Sequence, residues 1–373
     1  MQAVYHVPPR KVSKTDEEFH LVAHHDEYSM WFGAYGSEPI SEIPSPVCTC
    51  GAHAGIPRRR IGELNDPKQI GVWTSVLRNV LDAGHRYIGI CGENPILSLA
   101  AVIMGAEGVV AFTNDDRMRN LIEELVKTNG YDEGKIQVVE VDKNACKTAG
   151  EIKVDAVIGD PFYRNSSLNW HNLRVWYDFS ELKKSGIINE STYFRPLKAN
   201  LYAAAIEFKD LWKIRAPVMD VLGFNIQHFD GVIDGAIRKS DPVVEPHPLW
   251  EYPGKALSGA VKVASFNLAE DVEAELEKVH SGVVSFESDG LCNGVALWMT
   301  WEYPGRDDEL FLISNGPVKP IEPGQNVQWY MNANQDVHLF PEPSKVNHTN
   351  YFTYCVKADS SDGSLIFDFN LNG

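Results

Sequence analysis

Between residues 69 and 158 short apolar runs alternate with helical periods, and this alternation leaves few folds open to the chain. In Gln69–Asp82, Ile70, Trp73, Val76, Leu77, Val80 and Leu81 share one helical face. Tyr87–Cys91 reads as a short strand, Ile96–Met104 as an apolar helix closed by Gly105, and Val109–Phe112 as a second strand. Asn114 is placed to cap a helix that carries Leu121, Ile122 and Leu125 and stops at Gly130. Ile136–Val141 and Val154–Ile158 are further strands. Strands alternating with helices make βαβ units, and such units need a parallel sheet covered by helices.

After about residue 195 the texture changes. Leu201–Phe208 alternates weakly, and Ala260–Phe266, Val295–Glu302, Val327–Met331 and Tyr351–Ala358 read as strands between Pro/Gly turns, with Gly363–Phe369 closing an antiparallel β domain. A chain of 373 residues suits two domains. Residues 1–53 read as a strand and linker, 54–195 as the α/β domain and 196–373 as the β domain. Met1–Pro8 echoes Asn334–Pro341, with Gln, Val and Pro in register. That echo leads us to expect that the chain begins inside the end of an earlier, related module.

The net charge of −17 repels phosphate backbones, so no nucleic-acid partner is expected, and it suits basic partners such as Arg-rich tails. No apolar run approaches the roughly 18 residues of a membrane span, so no membrane partner is expected. The opening Met1–Pro9 lacks the apolar core of a signal peptide, and an intracellular protein without a disulfide framework is expected. Cys91, in an apolar strand, reads as a small buried hydrophobe.

Two segments carry chemistry. Cys48-Thr49-Cys50-Gly51-Ala52-His53 offers two thiolates and an imidazole within six residues. Structural zinc takes four such ligands, and His24 or His25 on the preceding strand is the candidate fourth. Strand alternation puts those two histidines on opposite faces. Without zinc the segment is a loop with two free cysteines. The other segment is the turn after the first strand, Ile90-Cys91-Gly92-Glu93-Asn94-Pro95. A phosphate- or nucleoside-cradling turn needs glycines, but here Gly92 stands alone, Pro95 lacks a backbone donor and Glu93 adds a carboxylate.

The strings Leu21–Trp31, Pro46–Asp66, Trp170–Tyr177, Glu207–Pro217 and Glu245–Pro253 resemble the second, C-terminal module of the tandem-module, type III branch of the protein arginine N-methyltransferase family. That resemblance implies a class I methyltransferase, Rossmann-like parallel sheet followed by an antiparallel β-barrel with an arm insertion near 208–232. It places the turn that cradles S-adenosylmethionine on Cys91, Glu93 and Pro95, and the ribose-binding acid on Thr113. The two substrate-clamping glutamates fall on Asp160 and Asn169, and the Thr-His-Trp loop on Met331-Asn332-Ala333. None of these positions keeps the family residue. One shortened carboxylate and one amide make a poor clamp for a guanidinium.

The resemblance therefore implies a catalytically silent module that pairs with an N-terminal methyltransferase module. It also implies a structural zinc site between the modules, basic protein substrates such as histone tails, RNA-binding proteins among the parent's targets, and residence in cytoplasm and nucleus. Two other readings stand beside it: an arginine methyltransferase active in its own right, and a zinc-stabilised module that binds basic peptides. Gly159-Asp160-Pro161-Phe162 also resembles the Asp-Pro-Pro-Tyr/Phe motif of nucleic-acid amino methyltransferases, against the plain reading of a tight turn. Arg58-Arg59-Arg60 reads as a solvated run within reach of Asp66 or a partner module. Trp212 and Phe224 are the expected contact residues of the arm.

Overall fold

The computed structural model describes residues 20–25, 30–35, 56–131, 134–141, 154–163, 166–214, 218–240, 242–359 and 362–372. The chain divides into two units, Met1–Gly51 and Ala52–Gly373. In the first, β1 (His20–His25) pairs antiparallel with β2 (Met30–Tyr35), setting His24 opposite Trp31 and His25 opposite Met30. The echo segment Met1–Pro8 and the loop expected over residues 36–46 lie outside the described residues.

The second unit opens with helices α1 (Arg58–Leu64) and α2 (Pro67–Asp82). The Asp66 carboxylate accepts the Lys68 N–H at 2.9 Å and Pro67 takes the first helical position, so α2 starts where both residues favour it. Its Trp73, Val76, Leu77, Val80 and Leu81 are buried, as their spacing predicts, while Ile70 stays exposed. There follow β3 (Tyr87–Cys91), α3 (Pro95–Ile103), β4 (Gly108–Phe112), α4 (Asp116–Thr128), β5 (Ile136–Val139) and β6 (Ala156–Gly159). A 3-10 turn (Asn169–Leu173), α5 (Arg174–Lys184) and β7 (Tyr193–Arg195) complete this part. The strands form one sheet in the order β5-β4-β3-β6-β7, every pair parallel. One expectation is corrected: Asp115, not Asn114, caps α4. The Thr113 hydroxyl accepts the Asp115 N–H at 3.2 Å and the Asp115 carboxylate accepts the Arg117 N–H at 3.0 Å, which moves the cap one residue on.

The β domain begins with β8 (Lys198–Phe208) and continues through β9 (Asp220–Val221), β10 (Phe224–Asn225), α6 (Gln227–Ser240), β11 (Glu245–His247), β12 (Gly254–Ala256) and β13 (Val261–Asn267). Helix α7 (Val272–Leu276), β14 (Val279–Ser285), β15 (Gly290–Pro304), β16 (Leu310–Ser314), β17 (Gln335–Val346), β18 (Tyr351–Ala358) and β19 (Leu365–Asn372) finish it. One antiparallel sheet runs β11-β17-β15-β8-β12, with β13 on β8 and β16 on β15; a second runs β14-β18-β19.

The weak alternation of Leu201–Phe208 now has a cause: both faces of β8 are buried. Leu201, Ala203 and Ala205 join the core shared with the parallel sheet, and Ala204, Ile206 and Phe208 join a second core with Leu249, Trp298 and Trp329. Val327–Met331 does not form the expected strand. Scattered backbone bonds hold it instead of a continuous ladder: the Val327 N–H donates to the Gly254 carbonyl at 3.0 Å, the Val318 N–H to the Gln328 carbonyl at 2.8 Å and the Tyr330 N–H to the Gly316 carbonyl at 3.1 Å, and the Gln335 amide donates to the Tyr330 carbonyl as well.

Between β8 and β11 the arm insertion projects. Leu222 and Gly223 take positive φ in its β-turn, and Asp230 accepts the N–H groups of Val218 and Met219 at 3.0 and 2.8 Å. Leu222 is 93% and Phe224 72% exposed, and Phe229 and Val232 of α6 are exposed too. Trp212 differs from expectation: it packs, half-buried, on the second core.

The two halves of this unit interlock. Tyr303 of β15 donates its hydroxyl to the Gly159 carbonyl at 2.8 Å and meets Trp73 edge-on, while Trp176 donates its indole N–H to Glu270 O at 3.1 Å. Gly159 has no room for a side chain, because a Cβ would overlap Val175 and the ring of Phe179. Gly159→Ala should therefore cost about 1–3 kcal/mol of stability through overpacking, read as a lower urea midpoint at unchanged slope.

Candidate functional site

In an open α/β sheet the ligand site lies beyond the carboxyl ends of the strands where the strand order reverses. Here that point falls between β3 and β6, with Gly92 and Asp160 directly after the two strand ends. The Asp160 N–H donates to the Cys91 carbonyl at 2.8 Å and draws the two strand ends together. Gly92 has φ +120°, and a Cβ on it would stand 2.5 Å from the Asp160 carbonyl oxygen. The single glycine of this turn thus serves the chain's own backbone contact. Asn94 caps α3 by accepting the Leu97 N–H at 3.0 Å, with Pro95 at the first helical position. Cys91, Glu93, Pro95 and Thr113 are all buried.

Arg60 fills the space in front of this turn. Its Nη1 donates to Glu63 at 2.8 Å, and its Nη2 donates both to the Glu93 carbonyl at 3.1 Å and to the Asp160 carboxylate. The guanidinium lies 5.9 Å from the centroid of the Phe162 ring. Asp160 also accepts the Phe162 N–H at 3.0 Å. Arg60, Glu63 and Asp160 are all buried. Burial alone would lower the Arg60 pKa, but the facing carboxylates of Asp160 and Glu63 outweigh it and hold the guanidinium above its ordinary value. The expectation of a solvated arginine run is corrected here: Arg58 is exposed, Arg59 half-buried and Arg60 buried at the switch point. The available signal was the Arg60/Glu63 spacing, one helical turn apart.

Asn169, nine positions after Asp160, does not join it. Its backbone N–H donates to Asp336 at 3.0 Å, and burial pushes the Asp336 carboxyl well above the usual carboxylate range. Asn332 packs its amide against Gly62 of α1, and Ala333 and Asn169 line one cavity with Arg59 and Arg60. That cavity measures about 20 Å³, room for about one water. A second, apolar one of about 60 Å³ lies between Trp73, Leu77, Ile96, Leu97 and Phe162. Both fall far short of the roughly 300 Å³ at which small-molecule pockets begin. Nearby, Tyr163 donates its hydroxyl to Asp178 at 2.7 Å and the Cys91 thiol points to the same carboxylate at 3.8 Å. Burial pushes that thiol well up, so Cys91 packs as an inert small side chain, as expected.

Of the expected zinc ligands, Cys48, Cys50 and His53 lie outside the described residues, and the backbone of β1 carries His24 and His25. Among the described residues no group of three or more potential ligands gathers.

The parallel sheet with its helices, followed by the antiparallel β domain and its arm, is the class I methyltransferase architecture of the arginine methyltransferases. Its fold matches a chain of the Trypanosoma brucei PRMT1 enzyme-prozyme heterotetrameric complex with AdoHcy, with a TM-score of 0.62 and 16% identity, over 84% of this chain and 93% of that one. It also matches Arabidopsis thaliana protein arginine methyltransferase 10, with a TM-score of 0.57 and 13% identity, over 86% and 99% of the two chains. No family model matches the chain. Across 372 residues it is 33% identical to protein arginine N-methyltransferase 7 of Drosophila willistoni, and across 360 residues 32% identical to that of Drosophila simulans. These alignments cover 100% and 95% of this chain but 52% and 49% of the relatives, so it spans about half of their length. The chain belongs to the protein arginine N-methyltransferase family, with relatives among the proteins numbered 7.

The buried Asp336 carboxyl sets a pH dependence. The folded chain keeps a proton that the unfolded chain releases above about pH 4, so this site's contribution to stability falls as pH rises through that point toward the raised folded value. Asp336→Asn keeps an acceptor for the Asn169 N–H and does not titrate. Its melting temperature should match the parent near pH 4 and exceed it at pH 8, a gain on the order of 1 kcal/mol or more.

Proposed function

We propose that this chain is the second, catalytically silent module of a type III, monomethylarginine-forming protein arginine N-methyltransferase. In the parent protein the N-terminal module carries the chemistry on arginines of histones and RNA-binding proteins, in cytoplasm and nucleus. The present module completes a pseudo-dimer with it. The observation that carries this reading is the switch point itself: Asp160, at the family's clamp position, holds the chain's own Arg60. Further support comes from the buried cofactor-turn positions Cys91, Glu93, Pro95 and Thr113. The residues described around this turn do not fit an adenosyl group, and we infer no methyl transfer through it.

The exposed apolar arm residues Leu222, Phe224, Phe229 and Val232 support pairing with a partner module, since such patches mark interfaces. So does the half-length match to the fly relatives. The trypanosome neighbour is an enzyme-prozyme heterotetrameric complex, a precedent for chains of this fold working in an assembly.

The cofactor reading has a direct test. Isothermal titration of the chain with S-adenosylmethionine should give no heat of binding in the micromolar range. A micromolar dissociation constant would overturn the silent-module reading and favour an enzyme active in its own right.

We further propose a structural zinc held by Cys48, Cys50, His53 and one of His24 and His25, a closed tetrahedral set with no position for substrate. Metal analysis of chain purified without chelator should find about one zinc per molecule. Cys50→Ser should lose it and melt at a lower temperature, because metal binding contributes folding free energy. Zinc-free protein of unchanged stability would remove the site.

A further inference from the structure

The contacts of Arg60 have the form of a ligand in a receptor. Its two terminal nitrogens diverge, one to the Glu63 carboxylate and the other to the Asp160 carboxylate and the Glu93 carbonyl, with the Phe162 ring beside the guanidinium plane. The three acceptors come from separate elements: α1, the turn after β3 and the end of β6. A lysine ammonium, a point charge without a fork, cannot reach the same acceptors in the same geometry. Helix α1 is only seven residues long and Pro57 gives it no side-chain cap, so little in its own sequence holds it in place.

We infer that Asp160, Glu63, the Glu93 carbonyl and Phe162 form a guanidinium-binding site, and that Arg60 occupies it in cis as an internal ligand that docks α1 over the switch point. The site takes alkylguanidinium cations as a class, and in the native chain it is closed to them because the chain supplies its own. The inference is independent of whether the chain binds a methyl donor.

Arg60→Ala removes the atoms of one ethylguanidinium and leaves the receptor. The variant of this chain should melt well below the parent. Ethylguanidinium at millimolar concentration, with ionic strength held constant, should raise its melting temperature by several degrees, saturating as a bound ligand does. Ethylammonium should not, and the parent chain should respond to neither. Adding Asp160→Asn to the variant should abolish the response. Equal effects of ethylguanidinium and ethylammonium, or an equal response in the parent, would overturn the inference. If Arg60→Ala yields no folded protein, it can be refolded from denaturant with either cation present. Recovery with ethylguanidinium alone supports the site, and recovery with both or neither rejects it.

Discussion

The buried pairing of Arg60 with Asp160 is the contact on which the arrangement of the switch point depends. Four segments meet there. Asp160 closes β6 and is bonded back to the end of β3; the Glu93 carbonyl belongs to the turn after β3; Glu63 and Arg60 belong to α1; and Gly62 of α1 lies against Asn332 in the loop before β17. Breaking a buried pair by removing one partner costs about 3–5 kcal/mol, because the other charge is left without compensation. A contact of that size is a substantial part of the stability of an ordinary domain. It is large enough to contribute strongly to holding α1 over the sheet end.

Why the crevice is closed follows from two small geometric facts. A ligand at a switch point needs the strand ends to splay so that backbone groups face outward. Here the Asp160 N–H spends itself on the Cys91 carbonyl, and the Asp160 carbonyl stands where a Cβ on residue 92 would be. The turn retains its glycine, but the glycine allows chain to approach chain. Pro95 adds to this by starting α3 without a free N–H at a position where a phosphate- or carboxylate-binding helix would present one.

The centre of the parallel sheet was legible because β3, β4 and β6 are apolar runs between helical periods, and burial on both faces makes those runs continuous; β7, Tyr193–Arg195, is only half-buried and gave no such run. β3, β4 and β6 were located to within two residues for this reason. Where both faces of an antiparallel strand are buried, as in β8, alternation fades and sequence gives a weaker signal. Helix α6 was invisible because its Phe229 and Val232 face outward and no core imposes a period on it. The positions set against the family's site residues were read from the resemblance alone. Arg60 was not, because three consecutive arginines look alike until the fold buries one. Its partner Asp160 lies 100 positions away, and no local pattern links the two.

The three acids of this region show how a low-dielectric interior forces charge to be resolved locally. Asp160 and Glu63 are resolved by a cation from the same chain, arranged so that one fork serves both. Asp336 accepts the backbone N–H of Asn169, a donor without charge, so burial outweighs it and favours the protonated form. An open guanidinium clamp would need both of its acids ionised and unpaired until a ligand arrived, a state that costs several kcal/mol per buried ion. On the silent-module reading proposed above, a module that never receives that ligand cannot carry such a site at rest. It can delete a carboxylate, as with the amide at Asn169, or fill the site permanently, as Arg60 does beside Asp160. Because the chain does both, restoring a glutamate at position 169 alone would not reopen the site: the internal guanidinium would still occupy Asp160.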